Sequence, residues 1–177
     1  MKATRRRWVV AGVGGAAAVA GGALAWWRWT AGESAHDAAE LWSMRFERPE
    51  GPTLVMADLR GKPLVVNFWA TWCAPCVREL PALQRFQREH ASRGWQVIAL
   101  AVDQPVPVIE FINRFKLDLT VAMAGVDGLE WQRAMGNPSG GLPFSVVLDA
   151  HGQVRQTRLG ESHYDELTRW AAQAAPT

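Results

Sequence analysis

Hydrophobic positions along the chain follow two different periods, and their alternation predicts an α/β fold. Two runs, PLVVNFWA at 63–70 and WQVIALAVD at 95–103, are apolar almost throughout, as is typical of strands buried on both faces. Between these runs, apolar side chains recur at helical spacing until the turn SRG at 92–94. They are Val77, Leu80, Leu83 and Phe86. This order of strand, helix and strand predicts two parallel strands joined by a right-handed crossover.

The segments on either side of this unit carry weaker patterns. LWSMRF at 41–46 predicts a first strand, and the apolar stretch Leu54–Leu59 lies between two turn clusters. Val106–Phe115 has a helical period, which predicts a helix with one buried face. That face is predicted to contain Val108, Ile109, Ile112 and Phe115.

The last third of the chain predicts a short strand, a short helix and a hairpin. The strand lies in LTVAMAG, the helix covers Leu129–Met135, and GNPSGGLP has the composition of a loop. FSVVLDAHGQVRQTRLG predicts an antiparallel hairpin. A final helix follows, with Ser162 predicted as its cap and with Asp165 and Glu166 in its first turn. The predicted result is an open mixed sheet with helices on both faces.

An uncharged run of 19 residues, Val9–Trp27, follows a basic cluster at the start of the chain. At about 1.5 Å per residue it is long enough to cross a membrane with the basic side in the cytoplasm, which predicts an anchor over residues 1–29. The alternative is a cleaved export signal, because Ala23–Ala25 resembles a cleavage site and TRRRWVV resembles a twin-arginine signal. Either case predicts a stem at 30–40 and a folded domain at 41–177 in the periplasm.

The composition favours one globular domain and disfavours nucleic-acid binding. The 177 residues are 49% hydrophobic, and the formal net charge is only +2. Four basic residues precede the apolar run, so the rest of the chain is close to neutral. No basic surface of the kind that binds nucleic acid is left.

The two cysteines of the chain, Cys73 and Cys76, lie where the first buried run gives way to the following helix. Cys73 is therefore expected at the helix N-terminus, where free amide groups and the helix dipole lower a thiol pKa from about 8.5 toward the range of about 3.5 to 7.5. We predict that Cys73 is the nucleophile of a disulfide exchange and that Cys76 resolves the mixed disulfide. Pro75 is tolerated in the first turn and brings the two thiols together.

Two other uses of a cysteine pair are weaker. A structural disulfide would close a loop too short to add much stability. A metal site would need further ligands, and none of the four histidines has ligand spacing to the pair, so no metal is predicted and each histidine is expected to have an ordinary surface role. The histidines are His36, His90, His151 and His163.

The segments VVNFWATWCAPCVRELP and GLPFSVVLDAHGQV together resemble the TlpA/ResA-like branch of the thioredoxin superfamily, over roughly residues 41–172. The resemblance implies a thioredoxin-like fold with a central helix-strand insertion before GLPF. It also implies a cis peptide bond between Leu142 and Pro143 that faces the cysteine pair. There an extended substrate segment could pair with the backbone, next to Pro75 and the flat ring of Trp72.

Two polar residues near the pair distinguish this branch. Asn67 stands where ordinary thioredoxins carry a buried aspartate, and an amide cannot relay a proton. Glu79 resembles a glutamate that is thought to assist the thiol pair in ResA-like proteins. Because Glu79 lies one helical turn beyond Cys76, partial burial would raise its pKa and let it carry the proton of Cys76. The alternative for Glu79 is a solvated helix charge.

The resemblance implies an exported enzyme that reduces protein disulfides without a bound cofactor. A membrane protein with its own cysteine pair would recharge it, and apocytochrome c is one client that such chemistry would suit. A disulfide oxidase or isomerase would use the same residues, so it stays open as an alternative. A Cu(I) carrier that binds through Cys73 and Cys76 is the second alternative.

Overall fold

The structure, a computed structural model, describes residues 40–174 as alternating strands and helices. The strands are β1 (Arg45–Phe46), β2 (Leu54–Val55), β3 (Leu64–Trp69), β4 (Gln96–Ala101), β5 (Thr120–Met123), β6 (Phe144–Leu148) and β7 (Val154–Leu159). The α-helices that lie wholly within these residues are α1 (Ala74–His90), α2 (Pro105–Phe115), α3 (Gly125–Ala134) and α4 (Tyr164–Gln173). Short 3-10 helices cover Met56–Leu59 and Ala91–Arg93.

A mixed sheet with strand order β5-β4-β3-β6-β7 forms the centre of the described residues. β3 pairs in parallel with β4, and β4 pairs in parallel with β5. β6 lies antiparallel to β3, with Phe144 opposite Phe68, and β7 lies antiparallel to β6. β1 and β2 form a separate antiparallel pair. The predicted mixed sheet is confirmed, including the parallel pairing of the two apolar runs.

The central strand β3 contributes to the core on both faces of the sheet, and all of its residues are buried. Val65 and Trp69 belong to the core that α1, α2 and α4 cover. Val66 and Phe68 belong to the core on the other face, together with α3. Because successive side chains of a strand point to opposite faces, Asn67 lies on the face of Val65 and Trp69. A polar side chain therefore stands inside the core on which α1 packs.

Helix α1 buries one face against the sheet, as its spacing predicts. Leu80, Leu83 and Phe86 are all buried. The predicted stop is confirmed as well, because the chain leaves the following 3-10 helix at Gly94 in the left-handed conformation, with φ of 84°. The helix thus presents its N-terminus, with the two cysteines, at the end of the sheet where β3 stops.

Helix α2 follows its predicted bounds, but one predicted core residue is on the surface. Val108 is buried, and Phe111 and Ile112 pack against the same core. Phe115 is 55% exposed, so its predicted place on the buried face is wrong. Because α2 ends at this residue, its ring lies beyond the core and contacts the ring of Phe111, at 4.4 Å between centroids.

Two further elements differ from the predicted bounds. The first strand covers only Arg45–Phe46, since the preceding apolar residues Leu41, Trp42 and Met44 are buried in the core without strand pairing. Helix α3 begins at Gly125, four residues before the predicted start at Leu129. Its second glycine, Gly128, lies against the ring of Phe46, where a Cβ atom would come within 3.1 Å of that ring.

The final helix begins one residue later than its predicted cap implies. His163, not Ser162, is the N-cap of α4, and its backbone N–H donates to Glu166 at 3.1 Å. The cap prediction is wrong by one residue: Ser162 lies before the cap, is fully buried, and donates its backbone N–H to Glu79. Asp165 and Glu166 lie in the first turn, as predicted.

The predicted N-terminal segments are not part of the described structure. The anchor at residues 1–29, nearly all of the stem at 30–40, and His36 lie outside residues 40–174. Among the residues that are described, no helix has the length and apolar character needed to span a membrane.

Candidate active site

The two cysteines are joined by a disulfide at the N-terminus of α1. Cys73 is the N-cap residue, and its Sγ accepts the backbone N–H of Cys76 at 3.3 Å. The sulfur thus occupies the place that a capping oxygen takes in other helices. Pro75 lies in the first turn, where its missing N–H removes no helical hydrogen bond. Both cysteines are buried, but Cys73 is 6% exposed and Cys76 is fully buried, so Cys73 is the one of the two with some contact with solvent.

The two tryptophans before the pair have opposite environments. Trp69, the last residue of β3, is fully buried, and its ring lies 5.2 Å from that of Phe111 between centroids. Trp72 is 69% exposed, although it directly precedes Cys73. A large apolar side chain held in solvent beside a reactive sulfur is available for contact with another molecule.

The peptide bond between Leu142 and Pro143 is cis, as the resemblance implies. Phe144, the next residue, is paired with Phe68 near the end of β3. The cis bond therefore lies at the end of the sheet where β3 stops and the cysteine segment begins. Leu142 packs against the core that contains both cysteines, and the carbonyl of Pro143 accepts the N–H of Gly160 at 2.9 Å.

A buried asparagine, which was not among the predicted site residues, holds the loop before the cis bond. The Nδ2 of Asn137 donates to the carbonyl of Gly141 at 2.7 Å, and its Oδ1 accepts the N–H of Gly141 at 3.1 Å. Gln132 of α3 donates to the same carbonyl at 3.2 Å. These bonds fix the backbone one residue before Leu142. The sequence offered no signal, since asparagine is ordinary in a loop of this composition.

Glu79 is 1% exposed, and both of its carboxyl oxygens accept hydrogen bonds. Oε1 accepts from Nδ2 of Asn67 at 2.7 Å, and Oε2 accepts from the backbone N–H of Ser162 at 2.7 Å. Burial raises the pKa of Glu79 to about 7, against the lowering effect of these two bonds and with a smaller upward contribution from the charge of Glu161. The predicted burial is confirmed, so the alternative of a solvated helix charge is wrong, and the upward direction of the pKa agrees with the prediction.

A second carboxylate lies next to the cysteine segment. Asp103 follows β4, and its Oδ2 accepts both the backbone N–H of Thr71 at 2.9 Å and the hydroxyl of Thr71 at 2.5 Å. This residue was not among the predicted site residues either. One signal was present, because an acidic residue directly after a buried parallel strand lies at the end of the sheet where binding sites form.

Comparison with known proteins decides the family. The family model described as Redoxin matches residues 31–172, which is most of the chain. This chain belongs to the Redoxin family. The matched region begins before the described residues and ends inside α4.

Relatives of this Redoxin chain include thiol-disulfide oxidoreductase ResA of Bacillus thuringiensis (strain Al Hakam), which is 31% identical over 129 residues covering 72% of each protein. ResA of Bacillus anthracis matches to the same extent. The resemblance to the TlpA/ResA-like branch is therefore confirmed, and so is the enzyme class: the protein is a thiol-disulfide oxidoreductase.

Solved structures confirm the thioredoxin-like fold of this Redoxin chain. A thiol:disulfide interchange protein of the thioredoxin family from Chlorobium tepidum TLS has a TM-score of 0.68 and 29% identity, covering 74% of this chain and 92% of the other. The MTB protein dsbF, solved in mixed oxidized and reduced forms, has a TM-score of 0.63 and 26% identity, covering 76% and 97%.

The surface role predicted for the histidines of this Redoxin chain holds for two of the three that the structure describes. His151 and His163 are exposed, in keeping with a surface role. His90 is 6% exposed and stacks on Phe86 at 4.4 Å between ring centroids, so the surface role predicted for it is wrong. It is the last residue of α1, where the helix packs on the core. Within residues 40–174, no group of three or more His, Cys, Asp or Glu side chains could hold a metal ion.

Proposed function

We propose that this oxidoreductase reduces protein disulfides outside the cytoplasm, with Cys73 as nucleophile, Cys76 as resolving thiol and Glu79 as their proton acceptor. The observation that carries the proposal is the arrangement along α1. The sulfur of Cys73, the less buried of the two cysteines, caps the helix. The fully buried Cys76 lies one turn on, and a buried carboxyl with a pKa of about 7 follows three residues later.

The first step is attack by the Cys73 thiolate on one sulfur of a client disulfide. A bond forms between Cys73 and that sulfur, the client S–S bond breaks, and the other client sulfur leaves as a thiolate that takes up a proton. The amide groups at the start of α1 stabilise the attacking thiolate, as the bond from the N–H of Cys76 to Sγ of Cys73 illustrates.

The second step is attack by Cys76 on the sulfur of Cys73. The thiol of Cys76 first loses a proton, and Glu79 is proposed to accept it. Glu79 is the nearest carboxyl along α1, and residues three apart on a helix are neighbours. The new bond joins Cys73 to Cys76, and the client leaves with both of its sulfurs reduced. Two electrons have passed to the client, and the enzyme is left with the disulfide seen in the structure.

The client is expected to bind across the surface that surrounds Cys73. Exposed Trp72 supplies apolar contact, and Pro75 lies beside it in the first helical turn. The backbone at Leu142 and Pro143 lies at the same end of the sheet, where an extended client segment can form main-chain hydrogen bonds. Docking at these four residues suits polypeptides in general, because apolar and main-chain contacts do not depend on one client sequence.

The N-terminal sequence supports a place of action outside the cytoplasm, and that compartment in turn calls for an electron donor. Residues 1–29 are proposed to be an anchor or export signal and 30–40 a stem, which puts the domain in the periplasm. A reductase in that compartment needs a donor, and a membrane protein with its own cysteine pair would supply electrons by the same exchange. No bound cofactor is needed, because the cysteine pair itself carries the two electrons. Apocytochrome c, whose haem-attachment thiols must be reduced, is one suitable client.

Trapping tests this assignment of the two cysteines. In Cys76→Ser the second step is blocked, so mixed disulfides through Cys73 should accumulate in cells and run as larger, reducible bands on a gel. Cys73→Ser is the matched control and should give none. Mass spectrometry of the trapped bands would identify client and donor. Absence of adducts in Cys76→Ser would contradict the proposal.

Electron direction is tested by the reduction potential of the pair. A reductase should equilibrate with glutathione buffers at a potential well below that of an oxidase or isomerase, and each tenfold change in equilibrium constant corresponds to about 30 mV. Competition for Cu(I) by the reduced protein tests the copper alternative, because a carrier would retain one ion per cysteine pair. A strongly oxidising potential or tight copper binding would replace the proposed reductase by one of these functions.

A further inference from the structure

The segment that carries the reactive sulfur is a tight turn. The N–H of Cys73 donates to the carbonyl of Ala70 at 3.2 Å, so Thr71 and Trp72 are the two central residues of the turn. The exposed ring of Trp72 projects from this turn. Whatever fixes the turn also fixes where Trp72 and Cys73 are presented.

One carboxylate outside the turn is bonded to its first central residue. Asp103 accepts two hydrogen bonds from Thr71 through Oδ2, from the backbone N–H at 2.9 Å and from the hydroxyl at 2.5 Å. Its other oxygen, Oδ1, accepts the backbone N–H of Gln104 at 2.7 Å. All three donors therefore converge on a single side chain.

Asp103 stands where three elements meet. It follows β4, which pairs in parallel with β3, and the N–H of Val102 extends that pairing by donating to the carbonyl of Trp69 at 2.8 Å. Gln104, the next residue, is the N-cap of α2. The carboxylate thus joins the cysteine turn to the end of β4 and the start of α2.

We propose that Asp103 is a positioning residue for disulfide exchange, holding Thr71 so that Cys73 and Trp72 meet the client disulfide in a fixed orientation. This inference rests on the proposed role of Cys73 as nucleophile. Attack on a disulfide requires the thiolate to approach along the S–S axis, and a misplacement of about 1 Å can cost about a hundredfold in rate. Trp72, directly after the anchored residue, would lose its fixed position together with the sulfur.

The carboxylate of Asp103 is expected to stay ionised at neutral pH. Burial acts to raise the pKa of Asp103, but the hydrogen bonds from Thr71 and Gln104 outweigh it and hold the pKa below its ordinary value. Hydrogen bonds to an ionised acceptor are also stronger than those to a neutral one. Asp103 therefore differs from Glu79, which is poised to exchange a proton.

Three variants of the full-length protein test the inference. Thr71→Val removes the hydroxyl bond but leaves the backbone bond and every charge in place, and Asp103→Asn keeps the shape of the side chain but loses acceptor capacity. We expect the second-order rate constant for attack on a disulfide-containing peptide to fall about tenfold in Asp103→Asn and about threefold in Thr71→Val. Thr71→Ser, which restores the hydroxyl, should recover most of the loss.

A second measurement separates positioning from general stability. The pH profile of Cys73 alkylation by iodoacetamide should move to higher pH in Thr71→Val, since the sulfur loses its alignment with the amide groups of α1. Thr53→Val is the matched control, because its hydroxyl donates to the carboxylate of Glu47 at 3.2 Å, beside the β1–β2 pair. It should leave both measurements unchanged.

The outcomes distinguish this inference from the proposed function. If Thr71→Val and Asp103→Asn keep the wild-type rate and alkylation profile and lower only the melting temperature, Asp103 is structural and the inference is overturned. If those rates are unchanged while Cys76→Ser still traps clients through Cys73, only the inference fails. If Cys76→Ser traps nothing, the proposed function fails whatever these variants do. Circular dichroism of each variant establishes that it is folded.

Discussion

The Nδ2 group of Asn67 donates to Oε1 of Glu79 at 2.7 Å, and it also donates to Oγ of Ser145 at 3.0 Å. The first bond connects the middle of β3 to the helix that carries the cysteines. An amide at this position is a donor with no charge, so it holds the carboxyl of Glu79 in place whether or not that carboxyl carries a proton. Glu79 can therefore titrate as a single group near neutral pH inside the core.

The raised pKa of Glu79 predicts that the oxidised protein loses stability as the pH rises. The folded state holds the proton up to about pH 7, whereas the unfolded chain releases it near 4.5. The stabilising contribution of the proton is complete below pH 4.5 and is lost as the pH rises through 7, by about 3 kcal/mol in all. In Glu79→Gln this loss should be absent. Urea unfolding at a series of pH values measures it.

The matched control for this titration is Glu89→Gln. Glu89 lies on the same helix but is exposed and paired with Arg85, so its removal should leave the loss between pH 4.5 and 7 intact. His90 has a pKa lowered chiefly by burial and destabilises the protein as the pH falls below about 6.5, and this contribution cancels between the wild type and Glu79→Gln. In Glu89→Gln it increases slightly, because the charge of Glu89 acts to raise the pKa of His90. A wild-type curve parallel to that of Glu79→Gln would show that Glu79 does not titrate there.

The same substitution should slow the second step of exchange more than the first. Gln cannot accept a proton from Cys76, so in Glu79→Gln the mixed disulfide should persist while attack by Cys73 is nearly unchanged. We expect resolution to slow by about a hundredfold, within the usual range for loss of a general base. Quenched-flow separation of the mixed disulfide from the products measures both steps. Equal slowing of both steps would indicate a general effect on the site.

Much of the fold and the centre of the site follow from local signals in the sequence. The continuous apolar runs of β3 and β4 specify buried parallel strands, and the position of Cys73 between strand and helix specifies its capping role. Glu79 could be placed beside the thiol pair because helical spacing and the family resemblance agree. In each case the signal that carries the prediction lies within a short stretch of sequence, even where the strands that pair are far apart along the chain.

The features that local patterns did not predict depend on contacts between distant segments. Asp103 contacts Thr71 across 32 residues, and Glu79 takes the backbone N–H of Ser162 across 83. No local pattern predicts that second bond, which places Ser162 inside the core beside Glu79. Phe115 was misplaced because a helical period shows which face is apolar but not how far the core extends beneath it.

The turn between β6 and β7 offers a test of packing that is independent of the redox chemistry. Gly152 has φ of 78°, and a Cβ atom there would come within 2.8 Å of the ring of Trp42. Gly61 has nearly the same φ, 80°, with nothing within 4 Å. Gly152→Ala should therefore destabilise the protein by about 2 kcal/mol more than Gly61→Ala, because only the first adds a clash to the backbone strain. Equal melting temperatures for the two variants would contradict this packing.

Replacing Asn67 by aspartate should place two carboxyl groups within hydrogen-bonding distance inside the core. The introduced carboxyl and that of Glu79 could not both ionise there, so they would share one proton and titrate as a coupled pair. Because the pair still holds that proton where Glu79 alone has released it, the unfolding free energy of Asn67→Asp should keep falling above pH 7, where that of the wild type levels off. Asn113→Asp is the control, since Asn113 contacts Glu50 at 3.3 Å on the surface, where solvent screens the new charge. If the two variants had the same pH dependence, Asn67 would not be the residue that keeps Glu79 titrating alone.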